Sequence, residues 1–343
     1  MIAGKNFKIL FYVFGLLFII ASCTSIPKLS KADKSLIKEA LKAPTTKIIT
    51  GESGFAKNAS HSIWYEKINP EIESRGTILL IMGNGQDALS WPPSLISNFT
   101  KSGYQVVRFD HRGTGLSTST EKWKKKNAYS LTDMASDALA ILDNLAIEKA
   151  HIVGASMGGM IAQIIAIEQP DRTATLTSIM SSGDAMDSEL EPMSNEVIPQ
   201  MISAILKHGF FGSKKGQIKR QIIQKRILMG TATGDIDIKT MAEVSAYNLK
   251  EREGYKLIAA KHHFEAILIS ETRNKYLTNL TIPTLIIHGE KDPVMPISHG
   301  KKMKTIIPNA HSLWINNMGH DLPDSKIDEI TDAMLVHFEK TIK

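Results

Sequence analysis

The sequence predicts an α/β fold in which a mostly parallel sheet carries helices on both faces and a helical insertion forms a cap. Short apolar runs alternate with stretches of helical periodicity along most of the chain. The alternation stops between Ser182 and Thr281, where the pattern is helical and no run is typical of a strand. Because a structureless loop of that length is rare inside a domain, we interpret this interval as a cap.

The elements are predicted in chain order from these patterns. Two leading strands are expected at 47–50 and 62–67. Apolar runs bounded by turn residues then predict buried strands at 77–82, 104–110, 151–155, 175–181, 284–288 and 312–315. Helical spacing of apolar residues predicts helices at 92–101, 132–145, 160–168 and 326–338. Pro170 ends the third of these helices, and Asp324 and Ser325 are expected to cap the last one.

Strands that alternate with helices pair in parallel, since each crossover helix returns the chain to the same edge of the sheet.

The predicted organisation is a signal peptide at 1–22 and a tether at 23–45 with a short helix at 33–41. The core then occupies 46–182 and 281–343, with the helical cap at 183–280 between its two parts.

The amino terminus has the pattern of a secretory signal. Lys5 and Lys8 precede an apolar run at 9–20, and small residues follow it. The run is short for a membrane-spanning helix, which needs about 20 apolar residues. The sequence Ile-Ala-Ser-Cys that ends at Cys23 resembles the lipobox of bacterial lipoproteins, which implies that Cys23 is acylated and becomes the first mature residue. With Thr24 next, the resemblance implies a lipid-anchored protein of the bacterial cell envelope, at the outer membrane in a Gram-negative organism. Plain secretion and an uncleaved anchor remain alternatives.

Charge and composition exclude several functions. The formal net charge is +6, and two of these charges lie in the predicted signal peptide. The remaining excess is small and dispersed, which does not favour nucleic-acid binding. Cys23 is the single cysteine, and the chain has no His-Glu-x-x-His sequence, so no metal or organic cofactor is expected.

The sequence Gly-Ala-Ser-Met-Gly at 154–158 places Ser156 in a G-x-S-x-G motif. A predicted strand precedes it and a predicted helix follows, as in a turn that exposes a serine nucleophile. Glycine at Gly154 and Gly158 permits the close backbone approach that such a turn needs. We therefore predict Ser156 as the nucleophile, and a helix-capping serine is the alternative. The spacing does not fit the G-x-G-x-x-G of a dinucleotide site.

A serine hydroxyl needs a general base to take its proton and an acid to orient that base. Among eleven histidines, His320 follows the last predicted strand and is the predicted base. Asp292 follows the strand at 284–288 and is the predicted acid. The remaining candidates for the acid are Glu290, Asp184 and Asp187.

An oxyanion that develops during attack needs fixed backbone N–H donors. We predict one donor at Met157, directly after the nucleophile. Asn84, in the glycine-flanked loop after the strand at 77–82, is the second, although a simple turn is the alternative for this loop. Asp110 and Arg112 are expected to form an ion pair that shapes the loop beside the site.

Several runs together resemble the α/β-hydrolase superfamily, and within it the aclacinomycin methylesterase-like esterases. They are Leu-Ile-Met-Gly-Asn-Gly at 80–85, Trp-Pro-Pro at 91–93, Arg-Phe-Asp-His-Arg-Gly-Thr-Gly-Leu-Ser at 108–117, Gly-Ala-Ser-Met-Gly-Gly at 154–159, His-Gly-Glu-Lys-Asp-Pro at 288–293 and Met-Gly-His-Asp-Leu-Pro at 318–323. The resemblance implies an α/β-hydrolase fold and hydrolysis of carboxylic esters through an acyl-enzyme formed by a Ser-His-Asp triad. Met82 stands where many relatives carry histidine, and the run at 110–117 also resembles that of proline iminopeptidases.

The cap gives an indication of the substrate. Apolar residues lie in it at helical spacing or close by, namely Met201, Ile202, Ile205, Leu206, Phe210 and Phe211. An apolar lid favours a small-molecule ester with an apolar group. A basic stretch, which contains Lys214, Lys215, Lys219, Arg220, Lys225 and Arg226, is interpreted as a solvated face, with contact to anionic lipid headgroups as the alternative. An aminopeptidase or amidase, an acyltransferase and a non-catalytic surface lipoprotein remain the alternative functions.

Overall fold

The computed structural model describes residues 24–44, 47–120, 128–208, 213–232, 236–253 and 255–341. Its central feature is an eight-stranded sheet in the order β1-β2-β4-β3-β5-β6-β7-β8. The strands are β1 (Glu52–Asn58), β2 (His61–Ile68), β3 (Gly76–Ile81), β4 (Tyr104–Phe109), β5 (Ala150–Ala155), β6 (Thr173–Ile179), β7 (Thr284–Gly289) and β8 (His311–Ile315). Strands β3 to β8 are parallel, whereas β2 is antiparallel to both of its neighbours.

Helices cover both faces of this sheet. In the described part of the chain they are α1 (Lys31–Lys42), α2 (Pro93–Lys101), α3 (Leu131–Asn144), α4 (Met157–Glu168), α5 (Val197–His208), α6 (Lys214–Met229), α7 (Ile238–Glu251), α8 (Leu257–Leu268), α9 (Asn274–Leu277), α10 (Ile297–Ile306) and α11 (Ile327–Phe338). Apolar residues of α3, α4 and α10 form one buried cluster with the sheet, and those of α2 and α11 form another. The predicted mostly parallel α/β sheet with helices on both faces is confirmed.

The six predicted parallel strands and the four predicted helices of the core are present, with ends shifted by up to three residues. The prediction of a strand at 47–50 is wrong, because the first strand is β1. The N–H groups of Thr50 and Gly51 both donate to the carboxylate of Glu66, at 2.8 Å, and are not paired in the sheet. The predicted cap of the last helix is also wrong: residues 324–326 form a short 3-10 turn, and no side chain caps α11.

Helices α5 to α8 lie between β6 and β7 in the chain, within the interval predicted to be a cap. Helices α5 to α7 share a buried apolar cluster, which includes Ile218, Ile222 and Ala242, whereas Ala266 of α8 belongs to the cluster of the core. Ile37 and Ala40 of α1 belong to the cluster of α5 to α7. We therefore use the name cap for helices α5 to α8.

Helix α1 differs from the tether that the sequence predicts for this region. Its first turn is closed by reciprocal hydrogen bonds between Ser30 and Asp33. Asp33 also pairs with Arg226 of α6 at 3.0 Å. The reason for the difference is the apolar face of α1, which the cap buries. The segment that follows Cys23 is thus packed on the cap.

The predicted signal peptide and Cys23 lie outside the described residues, as do Phe210 and Phe211. Within the part of the chain that the structure describes, no helix is both long enough and apolar enough to cross a membrane.

Candidate active site

Ser156 occupies the turn between β5 and α4, at the carboxyl edge of the parallel strands. Its backbone has φ of 56° and ψ of −120°, a conformation that residues other than glycine rarely adopt. Its N–H donates to Ile179 O at 2.9 Å, and its carbonyl accepts from Ser181 Oγ at 2.8 Å. These contacts hold a strained turn in place, as is typical of functional residues.

The two glycines of the motif are required by close backbone contacts. A Cβ at Gly154 would lie 2.1 Å from Gly158 O, and a Cβ at Gly158 would lie 1.9 Å from Ile81 O. The Ser156 side chain makes no capping hydrogen bond to α4. The alternative interpretation of Ser156 as a helix cap is therefore wrong.

The structure brings Ser156, His320 and Asp292 together in one hydrogen-bonded chain. His320 Nε2 lies 2.9 Å from Ser156 Oγ, and His320 Nδ1 lies 2.7 Å from Asp292 Oδ2. A carboxylate only accepts, so Nδ1 carries the proton and Nε2 is free to accept from the serine hydroxyl. The other carboxylate oxygen of Asp292 accepts from the N–H groups of Val294 and Met295, both at 2.8 Å, which fixes its orientation.

The other candidate acids have different contacts in the described part of the chain. Asp187 pairs with Lys302 at 2.5 Å, and Asp184 Oδ1 accepts from the N–H of Met186. Glu290 is exposed to solvent. Of the four acids considered from sequence, Asp292 is the one that hydrogen-bonds His320.

The loop at 82–85, here called the oxyanion loop, passes directly over the nucleophile. A Cβ at Gly83 would lie 3.2 Å from Ser156 Cβ and 3.7 Å from its Oγ. The Met82 carbonyl accepts from His111 Nε2 at 2.8 Å, and the Gly85 N–H donates to His263 Nδ1 at 3.0 Å. Sequence reasoning gave neither histidine a role, because each acts on the loop through a contact distant in the chain. The donor roles of Asn84 and Met157 remain predictions.

The cap contacts the histidine side of the site. Leu228 O, near the end of α6, accepts from the backbone N–H of His320 at 2.8 Å. Lys225 of the same helix pairs with Asp321 at 2.9 Å. A Cβ at Gly319 would lie 2.4 Å from Met229 O, so this glycine allows the two backbones to meet.

The basic stretch of α6 is only partly a solvated face, which corrects the sequence interpretation. Lys214 and Lys215 are exposed. Lys225 and Arg226 form ion pairs with Asp321 and Asp33, and Arg220 is buried against the ring of Tyr255 at 5.3 Å. Half of the six basic residues thus contribute to packing within the molecule.

The predicted ion pair between Asp110 and Arg112 is wrong. Arg112 pairs with Asp137 of α3 at 2.6 Å, and Asp110 pairs with Arg252 at the end of α7 at 2.5 Å. The Asp110 carboxylate also accepts hydrogen bonds from the backbone N–H groups of Ala88 and Leu116. Burial raises the pKa of Asp110, and the adjacent Arg252 guanidinium opposes that rise.

Two further histidines lie in the last two strands of the sheet, outside the hydrogen-bonded chain of Ser156, His320 and Asp292. His288 is buried in β7, and its Nε2 donates to Met295 O at 2.7 Å. His311, at the start of β8, is exposed. Over the residues described, no group of three histidine, cysteine or acidic side chains is arranged to hold a metal ion.

Comparisons with known proteins agree with this architecture. Residues 76–202 match the protein family described as alpha/beta hydrolase fold. The chain is 28% identical to rhodomycin D methylesterase DauP of Streptomyces sp. (strain C5) over 295 residues, which cover 80% of this chain and 94% of that protein. It is 27% identical to rhodomycin D methylesterase DnrP of Streptomyces peucetius, with 82% and 96% covered.

Among solved structures, a carboxylesterase of the thaumarchaeon Nitrososphaera gargenis superimposes with a TM-score of 0.63 at 19% identity, covering 84% of this chain and 99% of that one. The fold, the matched segment and the relatives define the class of protein: the chain is an enzyme with the α/β-hydrolase fold. Within that class it is similar to methylesterases, as the sequence motifs predict.

Proposed function

We propose that the protein is a serine esterase that hydrolyses small-molecule carboxylic esters through an acyl-enzyme. The observation that carries the proposal is the continuous hydrogen-bonded chain from Ser156 Oγ through His320 to Asp292. The order of these residues in the sequence is the one typical of the fold. The similarity to two methylesterases supports ester substrates.

Acylation begins when the Ser156 oxygen attacks the ester carbonyl carbon. His320 Nε2 accepts the hydroxyl proton at the observed 2.9 Å, and Asp292 stabilises the imidazolium that forms. The carbonyl oxygen becomes an oxyanion, which the N–H groups of Met157 and Asn84 stabilise in this proposal. His320 then protonates the departing alcohol, and the acyl group stays on Ser156.

Deacylation repeats these steps with water as the nucleophile. Water takes the place of the alcohol beside His320, which accepts its proton while the oxygen attacks the acyl carbon. The second tetrahedral intermediate collapses, the proton returns to Ser156 Oγ, and the carboxylic acid leaves. In this proposal the protein contributes side chains and backbone groups, and water is the second substrate.

The leaving alcohol in this proposal is small, as the names of the two related methylesterases indicate. The acyl side is expected to be apolar, because Met157 follows Ser156 in the chain and Met82 precedes Gly83, which lies against Ser156. Apolar residues of the cap, among them Met201, pack against the buried cluster of the cap helices. They therefore supply only part of an apolar wall for the substrate site.

A panel of methyl, ethyl and butyl esters of short and long acids tests the proposal on the mature protein, with Ser156→Ala as the control. We expect hydrolysis of methyl esters with the natural protein and none above background with the variant. Aminoacyl-naphthylamides in the same assay test the peptidase alternative, and preferred cleavage of these amides would contradict the esterase proposal. Added alcohols test the acyltransferase alternative through the ratio of new ester to acid.

We further propose that Cys23 is acylated and anchors the enzyme in the bacterial cell envelope. The signal-like segment and its final four residues support this proposal. Thr24 follows at once, and its carbonyl accepts from Ser203 Oγ and Lys207 Nζ of α5, each at 3.4 Å. An anchor at Cys23 would therefore hold the cap close to the membrane. Mass spectrometry of the mature protein tests this, because any amino terminus other than an acylated Cys23 contradicts it.

A further inference from the structure

His263 of α8 is fully buried, and both of its ring nitrogens are hydrogen-bonded to backbone groups of the core. Nε2 lies 2.9 Å from Arg112 O, and Nδ1 lies 3.0 Å from the N–H of Gly85. A carbonyl only accepts and an N–H only donates, so Nε2 carries the proton and Nδ1 is the acceptor. The two contacts thus fix a single neutral tautomer.

The contact at Gly85 is adjacent to Asn84, which supplies one of the proposed oxyanion donors. Gly85 has φ of +68°, and a Cβ there would lie 2.5 Å from Ala260 Cβ of α8. The loop and the cap helix are therefore packed together with no room for a side chain between them. At its other end the loop is held by the core, where His111 Nε2 donates to Met82 O at 2.8 Å.

The surroundings keep His263 neutral. Its ring makes T-shaped contacts with the rings of His111 and Tyr129, and the ring centroids are 5.4 Å and 6.0 Å apart. Burial lowers the pKa of His263 to about 3, so the Nδ1 lone pair stays available to the Gly85 N–H at neutral pH.

We propose that His263 is a positioning residue through which the cap holds the oxyanion loop in its active position. The site is then complete only when α8 is packed on the core. The inference rests on the proposed function, because it assigns the loop a role in stabilising the oxyanion. His263 does not touch the reacting atoms. Its effect passes through Gly85 to the adjacent Asn84 N–H, where a misplacement of about 1 Å can cost a hundredfold in rate.

Two amide substitutions separate the two hydrogen bonds of His263. In His263→Asn, Oδ1 replaces Nδ1 and keeps the acceptor for Gly85, whereas the donor to Arg112 O is lost. In His263→Gln, Nε2 keeps the donor and the acceptor for Gly85 is lost. His262→Gln is the matched control, because His262 is half-buried and its Nδ1 contacts Thr120 Oγ1.

The rate at which a fluorophosphonate reacts with Ser156 reports how well the oxyanion loop stabilises the transition state, because the phosphonyl oxygen takes the place of the oxyanion. This measurement needs no physiological substrate. We expect His263→Gln to react roughly 10- to 100-fold more slowly, and His263→Asn and His262→Gln to stay within about threefold of the natural protein. With an ester that is hydrolysed, the loss in His263→Gln should fall on kcat and leave KM nearly unchanged. Rates are normalised to the folded fraction of each variant.

Equal rates for His263→Gln and the natural protein would overturn the inference, as would equal losses in the two amide variants. Hydrogen exchange in the natural protein gives a test that needs no variant: the peptide containing Gly85 should be protected, and exchange as fast as in an exposed loop would also overturn the inference. A natural protein that does not react with the probe would instead contradict the proposed serine-esterase function.

Discussion

At the scale of single residues, the positions of Ser156, Asp292 and His320 were predictable because each follows a strand that the sequence marks clearly. Parallel strands present their carboxyl ends at one edge, so loops distant in sequence meet there. The partners of Arg112 and the role of His263 were not predictable. Their contacts join segments 25 and 151 residues apart, and no local pattern specifies them.

The orienting role of Asp292 gives a residue-scale prediction. Asp292→Asn should lower kcat by about 10³- to 10⁴-fold with KM little changed, because an amide no longer holds the Nδ1–H tautomer of His320. Steady-state kinetics on a methyl ester measures the effect. Glu290→Gln is the control, since Glu290 is exposed on the same loop and should keep full activity. A kcat for Asp292→Asn within threefold of the natural value would refute the assignment.

At the scale of elements, the core strands were predictable because continuous apolar runs are typical of strands buried on both faces. The leading strands were harder, since only one of the seven residues of β1 and four of the eight residues of β2 are buried. Helix α1 was predicted as a short helix, but its packing on the cap was not. Its sequence is polar and lysine-rich, and its two buried apolar residues, Ile37 and Ala40, are too weak a pattern to indicate a partner.

The packing of α1 gives an element-scale prediction. Ile37 is fully buried between α1 and the cap, so Ile37→Ala should lower the free energy of unfolding by about 2–4 kcal/mol. Lys38→Ala, at the exposed neighbouring position, should change it by less than about 0.5 kcal/mol. Urea denaturation of the mature protein measures both values. Equal free energies of unfolding for the two variants would contradict the packing of α1 on the cap.

At the scale of the whole molecule, the cap contacts both sides of the candidate site. The end of α6 holds the backbone of His320, and α8 holds the oxyanion loop through His263. Helix α1 in turn packs on the cap, mainly against α7, and its Asp33 pairs with Arg226 of α6. The segment that leads from Cys23 is therefore connected to the active site through the cap.

Buried neutral histidines give a prediction about stability and pH. Burial lowers the pKa of His111, His151 and His337 to about 4, below the value near 6.5 expected in the unfolded chain. As the pH falls below about 6.5, the unfolded state binds more protons than the folded state. The stabilisation that the neutral histidines give the folded state is therefore complete above about pH 6.5 and is lost towards pH 4. Unfolding free energy should fall between pH 7 and pH 5, by roughly 1–2 kcal/mol for each histidine.

Urea titrations at several pH values measure this dependence. His151→Asn should make the slope of stability against pH shallower by about one proton near pH 5. Equal stability of the natural protein at pH 7 and pH 5 would contradict this account of the buried histidines.

The central claim is that Ser156 is the nucleophile of the triad. The most direct test is to react the mature protein with a fluorophosphonate and to locate the adduct by peptide mass spectrometry. We predict one adduct, on Ser156, with loss of ester hydrolysis in proportion to labelling, and no adduct on Ser156→Ala. Labelling of another residue, or a Ser156→Ala variant that still hydrolyses esters, would contradict the account.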